Sequence, residues 1–501
     1  MVEKPPPAVA RQSRSTQWID GAWRTAQCSG VIAVIDPATD ATLAEVPAGG
    51  VDDVADAVSA AAKAFNAWSG TPVTERVRYL DRLADLLDEH ADTIADVLTA
   101  ETGMPHTLTR HVQQPYAAGA LRSYTEAACS RTWQEQIGNS LVCSEAAGVA
   151  ACITPWNAPL ALNLQKIPAA LAAGCTVVLK PSEIAPLSSY LLAELIAETD
   201  LPPGVFNLVC GTGSVAGEAL AAHPEVAVVS LTGSLRAGRR VSELAAARAA
   251  RVNLELGGKS ASIVLADADF AAAVAATVQQ ATFNAGQVCF AWSRLLVPAA
   301  QYDEAVTLAA RIADSLTVGS PWNPATQVGP LIHHESVDRI RGILAEAVEQ
   351  GAELVTGGNV PPDAKEGSYL SPAVLARVRP DMRAATEEIF GPVVTVMPYS
   401  DEDEAVRIAN ATDYGLSGAV WSTSLTRATS VAAQLRTGRV DINGAAFNLS
   451  APFGGCKSSG TGRELGAWGL AAFCETKAIQ LPLDPEEATL TLSFAPDSSA
   501  H

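Results

Sequence analysis

No cationic surplus, no paired-cysteine motif and no long apolar run marks this sequence, and each absence removes a class of function. Lysine and arginine number 34 against 54 aspartates and glutamates, a formal net charge of −20. Such a balance repels polyanions, so neither nucleic acid nor an anionic membrane is expected as a partner. The nine cysteines are an odd number, scattered at Cys28, Cys129, Cys143, Cys152, Cys175, Cys210, Cys289, Cys456 and Cys474 without CxxC spacing. They suggest neither a zinc cluster nor a disulfide framework, and a reducing, cytoplasmic compartment is expected. No apolar run reaches the roughly 20 residues that a membrane helix needs. The first sixteen residues carry three consecutive prolines and several charges but no apolar core, so 1–16 reads as a disordered leader and not as a signal peptide. None of the seven histidines offers a papain-like partner for a cysteine, and there is no internal repeat.

What is present is an α/β alternation in a chain of 501 residues, long enough for more than one domain. Short strands over Gln17–Pro47 give way to amphipathic helices from Val51, through Trp68, to His90 and towards Leu98. Residues 130–150 lose helical character and suggest a hairpin, which must pack on something to be stable; an inter-subunit arm is one reading. From Gly148 to Glu255, apolar runs at Val149–Ile153, Thr176–Leu179, Val205–Val209, Val226–Leu231 and Val252–Leu256 alternate with helical stretches. That spacing indicates βαβ units and a parallel sheet buried on both faces. A second alternation runs from Ser260 to about Ile442, and the tail is strand-like at Ala478–Leu481 and Thr489–Phe494.

Ligands of such sheets sit beyond the C-terminal strand ends, where helix N-termini point. Three loops stand there: Thr154-Pro155-Trp156-Asn157, Lys180-Pro181-Ser182-Glu183 and Thr232-Gly233-Ser234. Lys180 and Glu183 could grip two ribose hydroxyls or form a solvated loop. Ser234 could bind a pyrophosphate or simply cap the helix expected over Ala237–Ala250. The GxGxxxG stretch Gly211–Gly217 follows the third strand and reads as a tight turn with a helix start, not as a dinucleotide fingerprint.

Two further residues stand out. Glu255 lies among Val252, Leu254 and Leu256, where desolvation raises a carboxyl towards the range of a general base; the alternative is an ion pair with Lys259. Cys289 follows an alanine-rich helical pattern and a Gly286-Gln287 turn, which can hold a thiol half exposed at a cleft. Alone it reads as a small buried hydrophobe, as Cys152, Cys175 and Cys210 do.

Together with Glu387-Glu388-Ile389-Phe390-Gly391-Pro392 and Pro452-Phe453-Gly454-Gly455, these stretches resemble the aldehyde dehydrogenase superfamily in order and in spacing, including the interval 289 − 255 = 34. The resemblance runs from about Gln17 to Ile479. It implies an α/β fold with a Rossmann-like NAD-binding domain over 17–129 and 148–256, and a second α/β catalytic domain over 257–455. It also implies a small β oligomerisation arm and tail over 130–147 and 470–495, in a homodimer or homotetramer. Cys289 would be the nucleophile, Asn157 with the Cys289 N–H the oxyanion hole, Glu255 the base, and Lys166 a positioning or proton-relay residue. Thr154, Pro155, Trp156, Lys180, Ser182, Glu183, Gly213, Gly233, Ser234, Leu256, Glu388 and Phe390 match cofactor positions. Ala158, Leu162, Gln165, Val288, Phe290 and Phe447 match a substrate funnel that is mostly apolar, aromatic-walled and without a carboxylate-binding arginine.

NAD is the implied cofactor because Glu183 would repel a 2′-phosphate; NADP use stays open. Retention of Glu255 favours hydrolysis of a thioester over transfer to coenzyme A, with a coenzyme A-acylating relative and a catalytically silent binding protein as alternatives. The implied substrate is a neutral aliphatic or aromatic aldehyde. Leu231 and Leu235 replace the family's usual Phe and frequent Thr around Thr232-Gly233-Ser234, and Phe290 and Trp292 are bulkier than in many relatives.

Overall fold

In the computed structural model, which describes residues 12–362, 364 and 366–482, two large sheets form the frame. Strands β1 (Thr16–Ile19) and β2 (Ala22–Thr25) make an antiparallel pair, and β3 (Val31–Ile35) pairs with β4 (Thr42–Pro47). After the helices come the hairpin β5 (Gln134–Ile137) and β6 (Ser140–Ala146), then β7 (Val149–Ile153), β8 (Thr176–Lys180), β9 (Phe206–Leu208), β10 (Val226–Thr232) and β11 (Arg251–Glu255). The second half adds β12 (Ala261–Val264), β13 (Arg294–Pro298), β14 (Glu353–Thr356), β15 (Ala373–Ala376), β16 (Val393–Tyr399), β17 (Gly418–Trp421) and β18 (Asp441–Ile442). Strands β19 (Gly460–Thr461) and β20 (Cys474–Gln480) complete the set.

One sheet has the order β19-β11-β10-β7-β8-β9-β1-β2 and a parallel centre. Side chains alternate across it. Val149, Ala151 and Ile153 of β7 join one core with Val54, Ala57 and Val58 of the helix Val51–Ser69, while Ala150 and Cys152 join the core on the opposite face. Burial on both faces explains why these strands read as continuous apolar runs. Cys152, Cys175 and Cys210 are fully buried, their thiols pushed up to about 12 chiefly by desolvation, which makes them inert packing groups.

The other sheet has the order β14-β15-β16-β13-β12-β17-β18, parallel except at β14. It divides its residues in the same manner, Ile263 and Leu296 to one face, Val264, Leu295 and Val297 to the other. The hairpin β5–β6 pairs with β20 in a three-stranded sheet whose side chains are mostly exposed, Ile137 at 58%. No helix among the described residues is long and apolar enough to cross a membrane.

The last residues of the stretch expected as a leader are built into the fold. The Arg14 guanidinium lies over the ring of Tyr190 and pairs with Glu194 at 2.7 Å, and Thr16 already belongs to β1. The strand expected at Thr489–Phe494 lies outside the described residues. The helix after Ser234 is Leu235–Ala246, two residues earlier in its start than the alanine pattern implied, because Ser234 supplies its N-cap.

Two buried groups tie helices to the strand ends. Glu101 accepts hydrogen bonds from the Leu187 and Ser188 N–H groups, at 2.6 and 3.1 Å, and so closes the N-terminus of the helix Leu187–Ala197. Tyr124, fully buried, donates to the Gln165 carbonyl and accepts from the Leu465 N–H, both at 2.7 Å. Tyr124→Phe leaves two buried backbone groups unpaired and is expected to lower unfolding free energy by about 1–3 kcal/mol in urea titration. A variant as stable as the wild type would contradict this.

Candidate active site

The level of four strand ends sets the site. In the parallel register Ile153 stands opposite Lys180 on one side and Leu231 on the other, and Thr232 stands opposite Glu255. Thr154, Lys180, Thr232 and Glu255 therefore reach the same edge of the sheet. Thr154 is held there by its N–H to the Lys180 carbonyl (3.1 Å) and its hydroxyl to Asn163 (2.8 Å), which in turn bonds Ser189.

Cys289 comes to this edge on a strained loop. The helix Phe270–Thr282 ends at Phe283, and Asn284, Ala285 and Gly286 follow with φ of +50°, +54° and +71°. Left-handed backbone costs a non-glycine residue ~1–2 kcal/mol, so the turn needs outside support. Asn284 supplies part of it by donating to the Asn157 carbonyl (3.0 Å), and the Gln287 side chain accepts from the Ile332 N–H (2.9 Å). At Gly286 a Cβ would stand 2.1 Å from the Gly391 carbonyl oxygen, so only glycine fits. The half-buried Cys289 thiol is pushed well above its ordinary value, first by desolvation and then by the charges of Glu388 and Glu255. At neutral pH it is a thiol that needs a base.

Asn157, 8% exposed, donates one side-chain N–H to the Gln287 carbonyl at 2.9 Å. An amide nitrogen carries two hydrogens, which leaves one for a ligand oxygen beside the cysteine loop. Glu255 is 3% exposed, and neither of its carboxylate oxygens has a hydrogen-bond partner among the described residues. Burial and then the neighbouring Glu464 raise it well above the usual carboxyl range; Lys166 and Arg463 oppose this. The pair with Lys259 does not form: the Lys259 ammonium also lacks a hydrogen-bond partner, and burial lowers it to about 7. A Cβ on Gly454 would fall 2.5 Å from Glu255 Oε1, so that glycine leaves room for the carboxylate.

Lys166 is completely buried, paired with Glu464 and donating to the Ser230 hydroxyl at 3.2 Å. Glu464 escaped the sequence reading. It arrives because β19 pairs antiparallel with the end of β11, Gly460 opposite Glu255, and no local pattern around Glu464 announces that pairing.

On the cofactor side, Lys180 Nζ donates to Glu183 (3.0 Å) and to the Pro181 carbonyl (2.8 Å), while the Gly213 N–H reaches the other Glu183 oxygen at 3.2 Å. Burial alone would raise Glu183, but Lys180 and these N–H groups hold it below its ordinary value. A carboxylate accepts about four hydrogen bonds, so capacity remains for a diol. Gly213 thus contributes a backbone donor, and the GxGxxxG stretch is a turn into the helix Glu218–Ala222.

A Cβ on Gly213 would meet nothing within 4 Å, so that glycine borders open space of the kind a dinucleotide needs, whereas one on Gly233 would be in ordinary contact with Leu231 at 3.7 Å. Glu388 accepts from the Gly258 N–H at 3.1 Å and lies against Gly257; burial raises it to about 7. Trp156 and Phe390 meet edge to face, with 5.6 Å between centroids.

Three of these residues also bond or pack within their own surroundings. The Ser234 hydroxyl accepts from the Ala237 N–H at 3.2 Å, the plain capping role. Ser182 accepts from the Ile184 N–H within its own turn, at 3.2 Å. Leu256 points under the helix Leu235–Ala246, where a Cβ on Gly238 would touch it at 2.7 Å. These three support the loops they sit in. Pro155 is half-buried between Thr154 and Trp156.

Part of the expected funnel comes together as a cluster of rings. Leu162, Gln165 and Val288 are buried, and Ala158 is half-buried. Phe290 and Phe447 stand 6.2 Å apart, each about 6 Å from Phe453 (5.9 and 5.8 Å), and Tyr116 lies 5.4 Å from Phe447. The Gln165 amide donates to the Tyr116 hydroxyl. Tyr116 and Phe453 were not foreseen as wall residues. An arginine does stand against this wall, Arg439, with its charge already engaged by Asp441.

A family profile described as the aldehyde dehydrogenase family matches residues 23–479. A Pseudomonas protein named 3-succinoylsemialdehyde-pyridine dehydrogenase is 45% identical over 464 residues, covering 92% of this chain and 97% of the relative. Among solved structures, a mutant of aldehyde dehydrogenase C from Pseudomonas syringae, in complex with NAD+ and octanal, superposes with a TM-score of 0.93 at 42% identity over 96% of this chain and 99% of that one. A Mycobacterium tuberculosis aldehyde dehydrogenase complexed with NAD+ gives 0.92 at 40% identity, covering 94% and 99%.

The thiol chemistry is directly testable. The rate of Cys289 alkylation by iodoacetamide, followed by mass spectrometry, is expected to keep climbing past the pH where a free thiol in solution levels off. Glu255→Gln should shift that profile downwards, because it removes a negative charge that opposes the thiolate. A plateau below about pH 8 in the wild type would show an ordinary thiol instead.

Proposed function

The chain belongs to the aldehyde dehydrogenase family, and from that premise we propose that its own residues carry out NAD-dependent oxidation of an aldehyde to the free carboxylic acid. The observation that carries the hydrolytic reading is Glu255: buried, unpartnered, raised in pKa, and close enough for its charge to act on the Cys289 thiol. The aldehyde oxygen is taken to lie between the free Asn157 N–H and the Cys289 backbone N–H. Glu255 takes the thiol proton as sulfur adds to the carbonyl carbon, and the two N–H groups stabilise the resulting alkoxide.

NAD, when bound, supplies the hydride acceptor. Lys180 and Glu183 would hold its adenine ribose, Trp156 and Ser234 its phosphates, and Glu388 with Phe390 its nicotinamide end. The oxidised adduct on Cys289 is a thioester, whose carbonyl keeps the same two N–H donors. Glu255 then takes a proton from water as the hydroxyl adds to that carbonyl, and the cysteine sulfur leaves. Lys166 and Glu464, paired beside the base, are placed to relay its proton and to hold its charge in check.

The apolar wall favours a neutral aldehyde with an aliphatic or aromatic tail, in line with the octanal and pyridine-bearing aldehyde of the relatives' names. Nine unpaired cysteines support a reducing, cytoplasmic setting. The exposed three-stranded arm supports a homodimer or homotetramer.

Cys289→Ser should abolish aldehyde-dependent NADH formation. Glu255→Gln should lower kcat by about 10²–10⁴, the usual contribution of a general base. In the wild type kcat should rise with pH as the elevated Glu255 carboxyl deprotonates, and Glu255→Gln should flatten that limb. Faster NADH formation on adding coenzyme A, with acyl-CoA as product, would replace hydrolysis by acyl transfer; undiminished turnover in Cys289→Ser would end the covalent mechanism.

A further inference from the structure

The segment that carries Arg439 is locked to both halves of the site. Its backbone bonds the loop before β17 through Gly438 N–H to Gly415 O (3.1 Å) and Arg439 N–H to Leu416 O (3.2 Å). At Gly438 a Cβ would fall 1.6 Å from the Gly454 oxygen, so two backbones touch there. Arg439 and Asp441 are two residues apart in extended chain and share a side, which lets the guanidinium donate to both carboxylate oxygens, Nε to Oδ1 at 2.9 Å and Nη2 to Oδ2 at 2.8 Å. The fork fixes the plane of the guanidinium. Its carbon then stands 4.1 Å from the Phe447 centroid and 5.8 Å from that of Phe290. The third nitrogen, Nη1, is buried and has no hydrogen-bond acceptor among the described residues. Tyr116, also packed on Phe447, lies within electrostatic reach of both Cys289 and Arg439.

We infer that Arg439, clamped by Asp441, is a positioning residue that holds Phe447 and Phe290 by stacking and thereby selects aldehydes whose apolar tail is broad enough to touch both rings. The inference rests on Cys289 being the reacting group. Phe290 and Phe447 are half-buried, and their contacts with Tyr116, Phe453 and each other are edge-on or tilted, so the guanidinium adds the face contact that restrains both rings. A planar cation over the face of a ring is attracted to its quadrupole, and the attraction strengthens when both are desolvated. Arginine suits this use better than lysine, because the same flat group bonds a carboxylate in its plane and rings on its face. The wall therefore acts on the tail, not on the reacting carbon. A carboxylate tail gains less from Arg439 than an apolar tail gains from the two rings, because Asp441 already accepts the Nε and Nη2 hydrogens and offsets the charge.

The test compares kcat and KM for phenylacetaldehyde and propanal, with NADH formation as the readout. NADH formation from both by the wild type reports separately on the underlying activity; its absence would overturn that reading and this inference with it. In Arg439→Met the ratio of kcat/KM for phenylacetaldehyde over propanal should fall about tenfold, through KM for phenylacetaldehyde. Phe447→Ala should give a similar fall, and the double variant should fall no further. Arg439→Lys, which keeps the charge and most of the length, should also lower the ratio, and serves if Arg439→Met does not fold. An unchanged ratio in either folded variant overturns the inference, as does full additivity with Phe447→Ala. So does a larger loss for succinic semialdehyde than for phenylacetaldehyde, which would make Arg439 an anion receptor.

Discussion

The parallel register of β7, β8, β10 and β11 is the constraint on which the site depends. A parallel sheet buried on both faces has little freedom to slip, because a shift by one residue would exchange the two cores. With Ile153, Lys180, Leu231 and Leu254 level with one another, and Thr232 and Glu255 paired one residue further on, each loop that leaves a strand end starts from a fixed point. The reacting groups come from segments as far apart as Asn157 and Cys289. What brings them together is a short bridge between loops, Asn157 to the Gln287 carbonyl and Asn284 to the Asn157 carbonyl.

The charges at this edge are arranged at a cost. Glu255, Glu464, Lys166 and Lys259 are buried and Glu388 is half-buried, and burial of ionised groups is unfavourable unless they are paired. Only Lys166 and Glu464 pair directly. Glu388 and Lys259, each shifted to about 7, can change charge in the neutral range far more readily than surface groups, and burial pushes Glu255 well above the usual carboxyl range towards its neutral form. A base that is to take protons twice in one turnover needs that readiness. Surface ion pairs such as Arg383 with Glu346 and Glu387 have no comparable role.

Much of this was legible in the sequence, for identifiable reasons. Strands buried on both faces write themselves as apolar runs, so β7 was read with both of its ends correct and β8, β10 and β11 to within a residue or so. Residues that follow strand ends are few, which is why Lys180, Glu183 and Glu255 could be singled out. Glu464, Tyr116 and Arg439 could not, because each reaches the site through a contact distant in sequence: an antiparallel pairing with β11, a hydrogen bond from Gln165 and ring contact with Phe447, and stacking over Phe290. Ser234 and Ser182 show the converse. A hydroxyl near a helix start reads as a ligand or as a cap, and in the structure both oxygens accept from their own backbone, which leaves each O–H to donate.

The contact between Gly438 and Gly454 has a practical side for anyone reshaping the mouth. A Cβ on Gly438 would fall 1.6 Å from the Gly454 oxygen, and one on Gly454 would fall 2.5 Å from the Glu255 carboxylate. The backbone behind the aromatic wall and Glu255, the proposed base, are thus stacked through two glycines. Trimming Phe447 or Phe290 widens the opening and leaves this stack alone. Loop grafts that reposition residues 438–447 move the base in the same stroke.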